Sequence, residues 1–212
     1  MIRWPDDPIP VALVSALNMD TLDQYLREAE VAHGHLCAGQ VLGVRLAVAG
    51  LSRLGIADPR GADRKRLVTY VEIDRCATDA IGVVTGCRLG KRALKFLDWG
   101  KMAATFVDLQ TGKAVRVAAK ESSKQAARNL HPEIENKNQQ QMLAYREMPD
   151  EDLFDFENVR VQVDPEDLPG YKSERIVCAE CGEGINFHRE VMRDGKSLCR
   201  GCAGESYYEK VE

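Results

Sequence analysis

The sequence predicts an α+β domain followed by a small cysteine-rich module. An almost wholly apolar helical run covers residues 36–54, and short β-branched segments with glycine turns follow between residues 67 and 119. Four of the seven cysteines lie in two close pairs after residue 177. Helices and strands in separate stretches of chain are typical of α+β folds. With 212 residues, 44% of them hydrophobic, the chain can bury one sizeable core and a small appendage.

Composition narrows the class of protein. The first twenty residues, MIRWPDDPIPVALVSALNMD, lack the basic start and unbroken apolar run of a signal peptide, and no later segment is long and apolar enough to span a membrane. The odd cysteine count argues against a disulfide framework. A net charge of -4 argues against a dedicated nucleic-acid binder. We expect a cytoplasmic protein without membrane contact.

Two helices open the predicted core. Asp20 is placed to cap a first helix whose apolar residues recur at helical spacing up to His33. Gly34 interrupts the chain, and a second helix is expected from Leu36 to about Leu54, ended by Gly55. Along the second helix, small residues recur every four positions at Gly39, Gly43 and Ala47. Such a ladder predicts a helix or a sheet packed closely against that face.

Strand patterns dominate the middle of the chain. LVTYVEID reads as a strand, and Thr78 or Asp79 can cap a short helix that Gly86 ends. ALKFLD, MAATFVDL and AVRVAA then predict a three-stranded antiparallel meander with turns at WGK and QTGK. Residues 121–145 favour helix, and FENVRVQV predicts one more strand. The prolines at 165 and 169 mark a linker, which gives a core domain at 1–165 and a linker with a finger at 166–212.

The tail carries the most specific motif. Cys178 and Cys181, then Cys199 and Cys202, form two C-x2-C pairs separated by seventeen residues. That spacing is typical of tetrahedral zinc sites, in which each pair supplies two thiolates. We expect a treble-clef-like finger, with a hairpin through HREVMRDGKSLC and a short helix in GCAGESYYEKV, and the tail resembles zinc fingers of the DksA/TraR type. A unit this small has too little core to fold without the metal.

A second set of soft donors lies in the core. His33, His35 and Cys37 fall within five residues at the start of the apolar helix, and Cys76 and Cys87 lie in the block DRCATDAIGVVTGCRLGK. Neutral imidazole and thiolate bind zinc, copper, iron or nickel. We expect the three thiols and at least one histidine to converge around a cleft that holds a soft transition metal or a redox-active thiol pair. The alternative is that each cysteine packs singly as a small apolar side chain.

Three ordered blocks carry a family resemblance. HGHLCAGQVLGVR, DRCATDAIGVVTGCRLGK and LDWGKMAATFVD resemble the motifs HGHxCPG, DxCxxDAIxxxTGCxxGK and DYGK of the FmdE family, the E-type proteins of formylmethanofuran dehydrogenase. The resemblance spans roughly residues 15–165, with Ala38 in place of the usual proline and Trp99 in place of the usual tyrosine.

The resemblance implies a fold, a site and an assembly. It implies an α+β domain with a mixed sheet, similar to the catalytic domain of glyceraldehyde-3-phosphate dehydrogenases, and a homodimer. We expect the dimer to form through the sheet or through a helical face, for which the small-residue ladder is a candidate. Carried over position by position, the implied site, catalytic or metal-binding, comprises His33, His35, Cys37, Cys76, Asp79 and Cys87.

The resemblance also implies a function. The family name refers to a molybdenum or tungsten enzyme that reduces carbon dioxide onto methanofuran, and the E-type protein is similar to an accessory component. We therefore expect a metal-binding accessory protein with a redox or metal-handling role. The alternatives are a zinc-finger interaction module or regulator whose core mainly dimerises, and a stand-alone metal-dependent enzyme. The many glutamates of the tail favour a protein partner over nucleic acid.

Overall fold

The computed structural model describes residues 19–209 and 211. The chain divides into two compact units, residues 1–161 and residues 162–212, and each is described by itself. No helix in the described part of the chain is both long and apolar enough to cross a membrane.

Among its described residues, the first unit combines six α-helices with one five-stranded sheet. The helices among its described residues are α1 Met19–His33, α2 Ala38–Leu54, α3 Cys76–Thr85, α4 Ser123–Leu130, α5 Lys137–Glu147 and α6 Asp150–Leu153. The strands are β1 Leu67–Val71, β2 Leu94–Phe96, β3 Ala103–Asp108, β4 Ala114–Ala119 and β5 Phe154–Val159. Their order in the sheet is β2-β1-β3-β4-β5. This confirms the predicted α+β class.

The sheet is mixed because β2 runs parallel to β1, whereas the other neighbours are antiparallel. The predicted meander is therefore wrong in its first strand: β2 pairs with β1 and not with β3. Helix α3 supplies the crossover that a parallel pair requires. The predicted turn at WGK does not close a hairpin, since the backbone N–H groups of Trp99 and Lys101 both donate to the carbonyl of Glu72. The QTGK turn joins β3 to β4 as predicted.

Helix α2 forms the centre of this unit, and its glycines let other elements approach. A Cβ placed on Gly43 would lie 2.6 Å from the carbonyl oxygen of Ala77, in the first turn of α3. A Cβ on Gly50 would lie 2.3 Å from the ring of Phe106 in β3. The small-residue ladder thus packs against a helix of the same chain, which confirms the predicted close contact. It also removes the ladder as a surface for a second copy.

The helix ends differ in part from the predictions. Gly55 and Gly86 end α2 and α3 in the left-handed conformation, with φ of 67° and 68°. Asp20 lies inside α1 and not at its cap, because the helix is already formed at Met19, the first described residue. Thr78 does not cap α3 either: its hydroxyl donates to the carbonyl of Ile73.

The described residues of the second unit form a 3-10 turn at Pro165–Asp167, two small hairpins and a short terminal turn. Strands β6 Ile176–Val177 and β7 Gly184–Ile185 form one hairpin, and β8 Val191–Arg193 and β9 Lys196–Leu198 form the other, as predicted between the cysteine pairs. The predicted terminal helix is reduced to a single π-type turn, Gly201–Glu205. The buried residues of its apolar cluster are Cys178, Ile185, Leu198 and Ala203.

Candidate thiol and metal sites

The starts of α2 and α3 bring Cys37 and Cys76 together. Cys37 precedes the first turn of α2 in an extended conformation, and Cys76 is the first residue of α3. The Cys37 side chain lies close enough to Cys76 to affect the ionisation of its thiol. Both cysteines lie beside Gly39, because a Cβ there would make ordinary contacts of 3.4 Å with Cys76 Cβ and 3.7 Å with Cys37 Sγ. Both thiols are partly exposed.

The environment of the pair opposes two simultaneous charges. Burial raises the pKa of Cys76, and the neighbouring Cys37 raises it further. The adjacent Arg75 acts in the opposite direction. Ionisation of Cys76 is therefore disfavoured beside Cys37.

Two histidines and a carboxylate lie on the segment and helix that carry these thiols. His33 ends α1, and its Nδ1 lies 2.8 Å from Oδ2 of Asp79 in the first turn of α3. The rings of His33 and His35 are 4.8 Å apart, centroid to centroid. Gly34 permits this arrangement, since its φ of 95° turns the chain between them. A carboxylate beside Nδ1 favours the proton there, which leaves Nε2 as the basic or metal-binding nitrogen.

Cys87 does not join the pair. Its side chain is 2% exposed and belongs to the hydrophobic core. The hydroxyl of Thr69 donates to its sulfur at 3.5 Å, and its thiol lies 3.9 Å from the carbonyl oxygen of Leu67. Burial raises the pKa of this thiol. The expectation that three thiols converge is therefore wrong for Cys87, because the chain after α3 turns back towards β1 and carries this residue into the core.

The core donors do not form a complete metal cage. Among the described residues, no core set of three histidine, cysteine or carboxylate ligand atoms lies within 4.8 Å of one another. A tetrahedral zinc site needs at least three protein ligands. The pair Cys37 and Cys76 fits chemistry that requires two sulfurs, such as binding of a soft cation or two-electron thiol chemistry.

Polar side chains from distant parts of the chain hold the start of α2. Asn138 accepts from the backbone N–H of Ala38 at 3.0 Å, which ties α5 to the residue after Cys37. Gln40 is fully buried, and with its amide nitrogen turned towards them it reaches the carbonyls of Ala29 and His35 at 3.3 Å each. Sequence reasoning missed both residues, because a single amide side chain leaves no motif.

A cavity of about 320 Å³ lies beside this segment, between α2 and α5. Its lining is mainly apolar, with an amide and a guanidinium, and comprises Leu36, Val41, Ile134, Gln139, Met142, Leu143 and Arg146. The guanidinium of Arg146 is paired with Asp23. This cavity was not expected from the sequence, since its lining comes from segments about a hundred residues apart.

The four finger cysteines lie close together, as predicted. Their four sulfur atoms all lie within 4.8 Å of one another, and they belong to Cys178, Cys181, Cys199 and Cys202. The sulfurs of Cys181 and Cys199 are 3.9 Å apart. Zinc–sulfur bonds of about 2.3 Å in a tetrahedron place sulfurs about 3.8 Å apart, so this donor set fits a zinc ion.

The surroundings of the finger thiols shift their pKa values in different directions. Hydrogen bonds from the backbone around Cys181, Cys199 and Glu180 lower the pKa of Cys178 to about 6. The N–H of Cys199 lies 3.2 Å from the sulfur of Cys178. Hydrogen bonding with Cys199, followed by burial, raises the pKa of Cys202 to about 12. Four thiols in one small site cannot all ionise without a compensating positive charge.

Comparisons with known proteins agree with this division of the chain. Residues 32–155 match the family model described as FmdE, molybdenum formylmethanofuran dehydrogenase operon. The chain belongs to the FmdE family. Residues 170–208 match the prokaryotic DksA/TraR C4-type zinc finger. The predicted family and finger type are thus confirmed.

Two known proteins are similar to this chain, one in sequence and one in fold. It is 34% identical over 210 residues to a protein of Archaeoglobus fulgidus named as a probable S-adenosyl-L-methionine-binding protein, a match that covers 90% of this chain and 55% of the relative. The chain thus spans about half the length of that relative. It shares its fold with a tungsten formylmethanofuran dehydrogenase FmdE-like protein from Syntrophus aciditrophicus, with a TM-score of 0.62 and 22% identity over 92% of this chain and all of the other.

Proposed function

We propose that this FmdE-family protein is a zinc-binding accessory component of a molybdenum- or tungsten-type oxidoreductase, with a redox or metal-handling site at Cys37 and Cys76. The observation that carries the proposal is the pair of partly exposed thiols, Cys37 and Cys76, which both lie beside Gly39 at the starts of α2 and α3. The family description and the name of the Syntrophus aciditrophicus protein support the link to such an oxidoreductase.

Each residue of the core site has a proposed role. Cys37 and Cys76 supply the sulfurs. His33 supplies a nitrogen held in one orientation by Asp79, and His35 lies next to its ring. Soft thiolates prefer soft cations, so a monovalent copper ion suits two sulfurs better than a hard divalent ion does. The finger would hold zinc through its four thiolates, and when bound that ion cross-links the two hairpins.

Elemental analysis of protein purified without added metal, followed by titration with Cu(I), tests the proposal. We expect one zinc per chain and one further soft cation after titration. Cys37→Ser should lose the second cation and retain zinc, whereas Cys181→Ser should lose zinc and retain the second. Cys87→Ser is the matched control, since its buried thiol should contribute to neither. Equal Cu(I) binding by the wild type and Cys37→Ser would contradict the core site.

Association with an oxidoreductase has its own test. The tagged chain would be purified from its native source under mild conditions, and molybdenum and tungsten would be measured in the eluate. We expect one of these metals to co-elute with a pterin-containing protein. Elution of the chain alone, with neither metal, would contradict the accessory role.

A homodimer through the edge of the sheet is also proposed. Strand β2 is an edge strand, and four large apolar side chains on it and beside it are exposed: Leu89, Phe96, Leu97 and Trp99. A neighbouring set of exposed apolar groups at a strand edge favours pairing with another chain. Sedimentation should give a dimer for the wild type and for the exposed control Val31→Ser, and a monomer for Trp99→Ser. A wild-type monomer at micromolar concentration would contradict this interface.

The exposed apolar side chains also favour the second candidate, an interaction module. On the finger, Val177, Met192 and Tyr207 are exposed and offer a surface for a protein partner. The module hypothesis predicts that Cys37→Ser retains full partner binding.

The enzyme hypothesis predicts a bound small molecule instead, and S-adenosyl-L-methionine is the first to test by calorimetry because the Archaeoglobus fulgidus relative is named for it.

A further inference from the structure

We propose that Cys37 and Cys76 close reversibly to an intramolecular disulfide that links the starts of α2 and α3. The inference deepens the proposed function by naming the chemistry of the core site, and it rests on the assignment of these two thiols to that site. Of the redox and metal-handling roles proposed for this site, the inference assigns the redox role, in the form of a two-electron thiol–disulfide couple.

The packing of α2 against α3 places the two cysteines near each other. Gly43 allows the first turn of α3 to touch α2, since a Cβ at that position would lie 2.7 Å from Ala77 Cα. Gly39 leaves the space beside Cys37 Sγ and Cys76 Cβ open. A disulfide forms only when two cysteines approach with little backbone movement. Close packing of the two helix starts favours this approach.

Exposure distinguishes the pair from the third core thiol. Cys37 and Cys76 are partly exposed, so a small disulfide can reach them, whereas Cys87 is buried and lies against Thr69. The core set also lacks a third ligand atom close enough to complete a metal cage among the described residues. Two adjacent accessible sulfurs without a third ligand suit disulfide formation better than tight metal binding.

The covalent step balances with a low-molecular-weight disulfide as the oxidant. The thiolate of one cysteine attacks a sulfur of the oxidant, which breaks its S–S bond and releases one small thiol. The second cysteine then attacks the mixed disulfide, which forms the intramolecular S–S bond and releases the second small thiol. The two protein thiols lose two electrons and two protons, and both pass to the two released thiols. Excess small thiol reverses the sequence.

The test uses the full chain with zinc bound, so that the finger thiols are protected. The protein would be incubated with glutathione disulfide, alkylated, digested and mapped by mass spectrometry, with Cu(I) binding of the reduced protein measured in parallel. We expect a cross-linked pair of peptides containing Cys37 and Cys76, reduced by excess glutathione. Cys87→Ser should form the same cross-link, whereas Cys37→Ser and Cys76→Ser should form only mixed disulfides.

The outcomes separate the two levels of the proposal. Stable mixed glutathione disulfides on both cysteines of the wild type, together with Cu(I) binding that requires Cys37, would overturn the disulfide and leave the metal-handling role standing. Absence of both reactions would overturn the disulfide and the core site together. Circular dichroism of each variant confirms that it is folded, and the Cys87→Ser chain shows whether a thiol-to-serine change is tolerated in the core.

Discussion

At the scale of single residues, a buried guanidinium joins the central helix to the end of α5. Arg45 lies within α2 and donates to the carbonyls of Tyr145 and Met148 at 2.7 and 2.8 Å, and to the carboxylate of Asp150 at 2.7 Å. Its side chain is only 10% exposed. The three acceptors lie where α5 ends and the chain turns towards β5, so Arg45 satisfies backbone groups that the helix end leaves without partners.

We predict that Arg45→Met lowers the free energy of unfolding of the core by about 2–4 kcal/mol, because it leaves two buried carbonyls and a half-buried carboxylate without a donor. Urea denaturation monitored by circular dichroism measures the loss. The control is Arg27→Met on the exposed face of α1, which should change the stability by less than about 0.5 kcal/mol. Equal effects of the two substitutions would contradict the anchoring role.

The residue types of the core site could be predicted from the sequence, but not all of their positions. His33 and Cys37 lie on one short segment, and Gly34 interrupts the helical pattern there. These two features predict a site in that segment. Whether Cys76 or Cys87 faces it depends on which end of α3 contacts α2, and sequence periodicity does not fix that choice. The structure places the N-terminal end there, which brings Cys76 to Cys37 and leaves Cys87 in the core.

At the scale of elements, the contact between α2 and α3 determines the geometry of the thiol pair. We predict that Gly43→Ala destabilises the core by about 1–3 kcal/mol, because the added methyl group would overlap the backbone of Ala77, which has no flexible side chain to move aside. Thermal unfolding measures the loss. The matched control is Gly90→Ala, where a Cβ would have no neighbour within 4 Å.

The same substitution tests the link between packing and site. Moving α3 away from α2 should separate the two thiols, so Gly43→Ala should slow disulfide closure in the folded protein relative to Gly90→Ala. An unchanged rate in a clearly destabilised Gly43→Ala chain would show that the thiol pair does not depend on this contact.

A carboxylate at the β3–β4 turn makes the sheet sensitive to acid. Burial alone would raise the pKa of Asp108, but hydrogen bonds from Arg66, Thr111 and the backbone of Gln110 outweigh it and hold the pKa below its usual value. The Arg66 Nε lies 2.9 Å from Oδ1 of Asp108. A carboxyl group with a lowered folded-state pKa stabilises the fold above the unfolded-state pKa of about 3.9 and loses that contribution as pH falls through the folded-state value.

We therefore predict that wild-type stability decreases from about pH 5 downwards and that Asp108→Asn removes part of this dependence. The variant should be less stable than the wild type at pH 7 and approach it at acid pH. Urea unfolding across this range measures both curves. The exposed Asp98→Asn is the control and should follow the wild type, and an Asp108→Asn curve with the wild-type slope would contradict the assignment.

The element predictions succeeded where the local pattern and the tertiary environment agree. Helix α2 is apolar on nearly every side and is buried on nearly every side, and Gly55 ends it in the structure as in the prediction. The predicted pairing of strand β2 was wrong because a strand of three residues does not indicate which strand lies beside it. A turn at WGK favours a hairpin locally, whereas the crossover through α3 places β2 beside β1. The long-range pairing of β2 with β1 therefore decides the order of the strands in the sheet.

At the scale of the whole molecule, two units of different construction lie in one chain. Residues 1–161 contain an extensive apolar core, whereas the cluster of residues 162–212 contains four buried members, one of them the metal-ligand candidate Cys178. A unit with so few buried apolar groups gains little from the hydrophobic effect. Its stability should therefore depend on the ion that the four sulfurs can hold, while the stability of the core should not.

The last prediction follows from this difference. Chelation of zinc should unfold residues 162–212 and leave the core folded, so limited proteolysis should remove the tail and yield a resistant fragment that ends near residue 161. Cys181→Ser should give the same pattern without chelator, because three thiolates hold zinc less tightly than four. Cys87→Ser is the control with an intact finger, and its tail should resist the protease until zinc is removed. Mass spectrometry of the fragments measures each outcome. A Cys181→Ser tail that keeps both zinc and protease resistance would contradict the four-thiolate site, whereas loss of the core together with the tail would show that the two units unfold as one.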